Sequence, residues 1–209
     1  MSVPDPDALE PRIRASWDAG DLQGAATEAL RGYGAEVLGY LMAITRDESE
    51  ANEVYGVFCE ALWRGLPDFR WQCTFRTWAY VLARHALSRR RRDPFRNADQ
   101  AVPLSGAPEV FAIADNVRTR TLKFLRTEVK DRVALLRERL DPEDQSLFIL
   151  RINRRLSWEE IARIMQPEET EPSAQQLRTD AATIRKRFQR AKERLRRLVE
   201  REGVLDSGP

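Results

Sequence analysis

The sequence predicts an all-α protein built as two small helical domains joined by a flexible linker. Three observations carry that reading. Apolar residues recur at three- and four-residue spacings along most of the chain, and no strand-like alternation competes with them. Helix start signals stand directly before several of these stripes. A stretch at 94–116, holding Pro94, Pro103, Gly106 and Pro108, then breaks the pattern near the middle. The 209 residues suit one ordinary domain or two small ones. With 42% hydrophobic and 33% charged residues, the chain can bury a core and still carry a heavily charged surface.

The elements follow in order. Residues 1–12 carry Pro4, Pro6 and Pro11 and read as a loose leader, extended to 22 before a first domain at 23–93. Helical patterning starts near Ile13 and reaches Ile44. Asp47 is a candidate N-cap with Glu50 in capping-box position, ahead of the stripe Ala51, Val54, Tyr55, Phe58, Ala61 and Leu62. Gly65-Leu66-Pro67-Asp68 stops that helix, and Phe69 to Thr74 is a short loop. Thr74 can cap the next helix, whose apolar side is Phe75, Trp78, Ala79, Leu82 and Ala86. Pro94 ends it and opens the linker, 94–128. Pattern returns near Val117 and is strong from Val129.

The second domain, 129–203, has two start signals. Asp141 is an N-cap with Pro142 at the first helical position and Glu143 and Asp144 behind it, where carboxylates complement the helix dipole. Ser157 to Glu160 forms a capping box. Gln166 to Pro172 is polar and reads as a loop, and a long helix begins around Ser173 and runs to about Glu202, leaving 204–209 as a tail.

Charge is distributed in blocks. The net formal charge is only +2, yet no acidic residue occurs from Arg70 until Asp93, and Arg89-Arg90-Arg91-Arg92 closes that stretch. Basic residues again dominate from Arg178 to Arg201. Asp47 to Glu60 is the reverse, with Asp47, Glu48, Glu50, Glu53 and Glu60. Separated blocks imply one face for an anion and another for a basic partner. Two cysteines, Cys59 and Cys73, and the single His85 exclude a disulfide framework and argue against a zinc site or other cofactor. Nothing resembles a nucleophile–base pair or a phosphate-cradling glycine loop, so an enzyme is not expected. The N-terminus lacks an apolar signal region and no window approaches eighteen apolar residues, which points to the cytoplasm and to no membrane insertion.

Two segments carry the functional reading. Phe69-Arg70-Trp71-Gln72-Cys73-Thr74-Phe75-Arg76-Thr77-Trp78 leads into a basic helix through Arg84. An opened duplex exposes unstacked bases, which aromatic rings and guanidinium planes hold by stacking and polar edges can read. Phe69, Arg70, Trp71 and Gln72 supply that chemistry. Arg76, Arg84, Arg89 and Arg90 supply phosphate contacts, and Tyr80 completes the candidate set. Phe75 and Trp78 fit a core role better. The segment resembles the promoter-melting part of RNA polymerase sigma factors of the extracytoplasmic-function (group IV) type, and the resemblance reaches back over Tyr33 to Leu66. It implies a sigma-two-like domain at 23–93 that docks polymerase and recognises the −10 element.

The other segment runs from Leu140 to Leu198. Leu156-Ser157-Trp158-Glu159-Glu160-Ile161-Ala162 resembles the scaffold helix, and Thr183-Ile184-Arg185-Lys186-Arg187 the start of the recognition helix, of the helix-turn-helix domain with which sigma factors read the −35 element. Ile184, Phe188, Ala191 and Leu195 share an apolar face, and Arg185, Lys186, Gln189 and Arg190 point away from it. Arg and Gln suit guanine and adenine edges in the major groove. The chain departs from the family in the turn, which lengthens to 166–182 without glycine. Either that turn is a long loop, or the recognition helix is extended from Ser173, which would make Arg178 a DNA-facing residue.

The resemblance further implies core RNA polymerase as partner, through its β′ coiled coil and β flap, with Asp47, Glu50, Glu53 and Glu60 as candidates for the β′ contact. It also implies promoter DNA and a possible anti-sigma factor. Competing readings are a helix-turn-helix regulator of duplex operator DNA and a sigma-like interaction protein without promoter recognition.

Overall fold

A computed structural model describes residues 6–92, 107–127, 139–168 and 171–201. The expected linker residues 94–106, the renewed pattern at Val129 and the tail 204–209 lie outside the described residues. All regular structure among the described residues is helical, and no described helix is long and apolar enough to cross a membrane. The chain forms two compact units, one up to Arg126 and one from Thr127 onward.

The first unit begins earlier than the leader reading held. α1 spans Pro6–Asp18, and its Leu9 and Ile13 are buried. Pro6 opens the helix, where a missing N–H costs nothing, and Pro11 is accommodated in its second turn. Leu9, Ile13 and Trp17 recur every four residues, a stripe masked by the prolines around it. α1 lies against α2, Leu22–Thr45, whose Gly32 leaves room for the Leu9 side chain. Asp21 caps α2 by accepting from the Gly24 N–H at 2.8 Å. α2 is the central helix, with Ala25, Leu30, Val37, Leu38 and Leu41 fully buried.

α3, Glu48–Gly65, starts where expected, with the Asp47 carboxylate accepting from the Glu50 N–H at 2.7 Å. It buries Ala51, Val54, Tyr55, Phe58, Cys59 and Leu62. A 3₁₀ turn at Leu66–Asp68 follows, then α4, Phe75–Arg92. Thr74 caps α4 through its hydroxyl, which accepts from the Thr77 N–H at 3.1 Å.

The linker expected at 94–128 is corrected in its second part. Pro108–Thr127 is a helix, α5, and Ala107, Val110, Ala114 and Leu122 are buried. Proline at a helix start resembles proline in a linker when only the sequence is read. α5 belongs to the first unit. Gln23 bonds Glu109, and a Cβ added to Gly34 of α2 would lie 2.7 Å from the Tyr55 hydroxyl and 3.0 Å from Val117 Cγ1. Only glycine allows that approach.

In the second unit, α6 spans Pro142–Phe148 and runs into a π-helical turn at Ile149–Asn153. Asp141 caps α6 by accepting from the Glu143 and Asp144 N–H groups. α7, Trp158–Ile164, opens with the expected capping box: the Ser157 hydroxyl accepts from the Glu160 N–H at 3.2 Å, and the Glu160 carboxylate accepts from the Ser157 N–H at 2.7 Å. α8 is the long helix Ala174–Arg201. Phe188 of α8 packs between Phe148 and Trp158, with ring centroids 5.0 and 5.3 Å away.

Asp144 does more than complement a helix dipole. It is fully buried, and its carboxylate receives Arg187 Nε at 2.7 Å and the Arg194 guanidinium, tying α6 to α8. Asp144→Ala removes the buried partner of both guanidiniums and leaves them only the exposed Asp141, 3.0 Å from Arg187 and 4.0 Å from Arg194. Breaking a fully buried pair costs about 3–5 kcal/mol, and partial exposure of the two arginines lowers the expectation to about 2 kcal/mol. Urea denaturation of the second unit should show that loss, whereas Arg196→Ala, exposed on the same helix, should fall within about 0.5 kcal/mol of the parent.

Alkali should test the first unit. Burial pushes the Cys59 thiol up to about 12 from 9.0 and raises the Tyr55 phenol as well. The neutral forms belong to the folded state, so the stability they contribute is complete below the unfolded values and lost as pH rises through the folded ones. For Cys59 that window runs from about 9 to about 12. Each such group costs at most about 1.4 kcal/mol per pH unit. Melting temperature should therefore fall from pH 9 upward, and Cys59→Ala should flatten the slope.

Candidate nucleic-acid interface

The loop between the 3₁₀ turn and α4 is built on an aromatic floor. Phe69 is buried and stacks on Trp78 with centroids 4.6 Å apart and an interplanar angle of 23°. Phe75, fully buried, meets both rings edge-on. Trp71 adopts φ 54°, a left-handed conformation that bulky residues rarely take. Its indole turns onto Phe69 and Phe75, with centroids at 4.9 and 6.3 Å. Trp17 of α1 meets it edge-on at 6.2 Å, and the Arg14 guanidinium lies 4.7 Å over the ring. Because Trp71 tucks inward, its neighbours Arg70 and Gln72 stand exposed at the loop tip.

The sequence-derived set for strand opening therefore divides. Phe69 and Tyr80 are buried, Tyr80 lying edge-on to Tyr40 at 5.5 Å, and neither presents a ring to solvent. The aromatic contacts that suit base stacking also suit a helix core, and sequence does not separate the two. Trp71 is half-buried and already packed against Arg14, Trp17 and Phe69, so it serves as the buttress of the loop. Arg76, expected on phosphate, instead grips Glu36 of α2 with Nε at 2.7 Å and Nη2 at 3.0 Å. Burial works against its charge, but the bond to Glu36 and that carboxylate's negative charge outweigh it and raise its pKa above the ordinary value. Its fork geometry matches a carboxylate as readily as a phosphate. Arg70 and Gln72 remain at the tip, with Arg84 half-buried and Arg89 exposed further along α4.

At the end of α4 the basic and acidic blocks meet. Arg90 pairs with Glu53 of α3 at 2.8 Å. Asp47, Ser49, Glu50 and Glu53 line a groove of about 440 Å³ together with Arg90 and Arg91. Glu60 pairs with Arg64 at 2.6 Å and is mostly covered. Val57 lies on the same side of α3 as Glu53 and Glu60 and is 38% exposed, an apolar side chain within the acidic face. Sequence reading missed it, although its four- and three-residue spacing from those glutamates was visible.

The second unit carries the other cationic face. Leu177, Ala181, Phe188, Ala191, Leu195 and Val199 bury one side of α8, and Arg178, Arg185, Lys186, Gln189 and Arg190 are all exposed. The long turn expected at 166–182 is shorter, because α8 already begins at Ala174, with the Ser173 hydroxyl accepting from the Gln176 N–H at 3.2 Å. The extension is anchored. Leu177 and Ala181 pack on Ala162 of α7, and Gln166 Nε2 donates to Asp180 at 2.7 Å. Arg178 thereby stands about two turns before Arg185 on nearly the same line of the helix. No group of His, Cys, Asp and Glu among the described residues could hold a metal ion.

These placements separate two arginines that look alike in sequence. Arg76→Ala should cost about 1–3 kcal/mol of stability by removing the two charge-assisted bonds to Glu36, visible in denaturant melts. Arg70→Ala should leave the melt unchanged within about 0.5 kcal/mol.

Comparison with known proteins gives three matches. Residues 30–94 match the family Sigma-70 region 2. RNA polymerase sigma factor YlaC of Bacillus subtilis is 31% identical over 144 residues, covering 65% of this chain and 76% of that protein. RNA polymerase sigma-H factor of Pseudomonas aeruginosa is 27% identical over 168 residues, covering 77% of this chain and 79% of its own length.

Proposed function

The chain belongs to the RNA polymerase sigma factors, and we propose that it is of the extracytoplasmic-function type, opening the −10 element with its first unit and reading the −35 element with its second. As a sigma factor it is a non-enzymatic initiation factor that binds core RNA polymerase and promoter DNA. One observation carries the finer reading: Arg70 and Gln72 project from an aromatic-buttressed loop at the head of a basic helix, within the region that matches the family. A guanidinium plane and an amide can stack on and read an unpaired base, and Arg84, Arg89 and Arg90 can follow the phosphates.

The exposed face of α8 supports groove reading by Arg185, Lys186, Gln189 and Arg190, with Arg178 about two turns before Arg185. The acidic face around Glu53 suits the β′ coiled coil, and Val57 adds an apolar contact there. The family resemblance also implies the β flap of the polymerase and a possible anti-sigma factor as partners, and the cytoplasm is the compartment such a factor works in.

Run-off transcription with core polymerase tests the whole reading: specific transcripts from promoters of the same genome are expected. Core binding without initiation on any of them would favour a sigma-like interaction protein instead. For the second unit, binding titrations across single-base variants of the −35 element at two salt concentrations are informative. Arg185→Ala or Arg190→Ala should cost about 1–3 kcal/mol and relax specificity at one position. Lys192→Ala should weaken all variants evenly and lower the salt slope by about one. Equal losses on every variant for all of these would mean that α8 contacts backbone only.

A further inference from the structure

We propose that α1 positions the strand-opening loop, with Glu10 as the positioning residue; this rests on the reading of the loop at 69–74 given above. The Glu10 carboxylate accepts from the Phe75 and Arg76 backbone N–H groups, each at 2.8 Å, and from the Tyr33 hydroxyl at 2.8 Å. Those two amides belong to the first turn of α4, immediately after the loop. They have no partner within the helix, and the positive end of its dipole lies there. Thr74 satisfies the Thr77 N–H by its own side chain, but the two preceding donors are met from 65 and 66 residues away.

The other contacts of α1 reach the loop's near side. Trp17 Nε1 donates to the Leu66 carbonyl at 2.9 Å, and Arg14 and Trp17 cover Trp71. α1 thus holds the loop at both ends and at its middle. Trp71 needs such support, since its left-handed φ is unfavourable for a tryptophan and its buried indole N–H has no hydrogen-bond partner among the described residues. The inward Trp71 is what presents Arg70 and Gln72. Without α1 the tip residues would remain in the sequence and lose their fixed aim.

The test compares promoter opening on a duplex with transcription from a premelted template, using the full chain and core polymerase. Glu10→Ala should lower permanganate reactivity of the duplex −10 region about tenfold, the equivalent of one charge-assisted hydrogen bond. Core binding and premelted-template transcription should stay within about twofold. Glu10→Gln, which keeps one acceptor oxygen, should recover part of the loss. Arg14→Ala leaves the carboxylate's bonds intact and should still lower duplex opening about threefold, so the inference stays testable if Glu10→Ala fails to fold. Wild-type opening in Arg14→Ala and in every folded Glu10 variant, or parallel losses on both templates and in core binding, would overturn the positioning role. A parent chain inactive on both templates would overturn the reading of the loop itself, and the inference with it.

Discussion

One carboxylate sits where three segments of the first unit converge. Glu10 takes two amides from the start of α4 and the hydroxyl of Tyr33 from α2, so α1, α2 and α4 share a polar anchor at the edge of an apolar core. Burial, with the negative charge of Glu10 behind it, raises the Tyr33 pKa, so the phenol stays the donor. Small helical units have few such fixed points, because most of their packing is non-directional. An anchor that bonds backbone sets the angle and depth at which α4 begins, and therefore where the loop before it must lie. The aromatic floor of Phe69, Phe75 and Trp78 fills the space that this placement leaves.

The second unit uses the same device, a carboxylate acceptor, with charged donors in place of neutral ones. There a buried Asp144 gathers Arg187 and Arg194 from α8 and fixes the long helix against α6. The arginines of this protein thus serve two purposes. Arg76, Arg187 and Arg194 bind carboxylates of the chain itself, while Arg70, Arg178, Arg185 and Arg190 face solvent. Arg90 stands between the two groups, joined to Glu53 at the meeting of the basic and acidic blocks. A run of basic residues signals an anionic partner only after the internal carboxylates have taken their share.

The α8 extension bears on recognition for a similar reason. Its first turns are held to α7 by Leu177, Ala181 and the Gln166–Asp180 bond, so Arg178 stands on the same rigid rod as the residues that follow. A side chain on a helix is aimed more narrowly than one on a loop, and the extension lengthens the cationic face along a single axis.

The sequence by itself determined the all-α class, the caps at Asp47, Asp141 and Ser157, the apolar side of α8 and the separation of charge into blocks. Each of these depends on residues within a few positions of one another, and local chemistry is written locally. The first halves of the helices Pro6–Asp18 and Pro108–Thr127 were hidden by prolines that open helices as readily as they end them, the pattern being legible only from Ile13 and Val117. Only the tertiary structure decided which aromatics are floor and which residues are tip. It alone paired Arg76 with Glu36, 40 residues away, and Arg187 with Asp144, 43 away. A guanidinium is equally suited to a phosphate outside and a carboxylate inside, and a ring to a base and a core. The choice between them is made by which neighbours the packing of distant helices brings within reach.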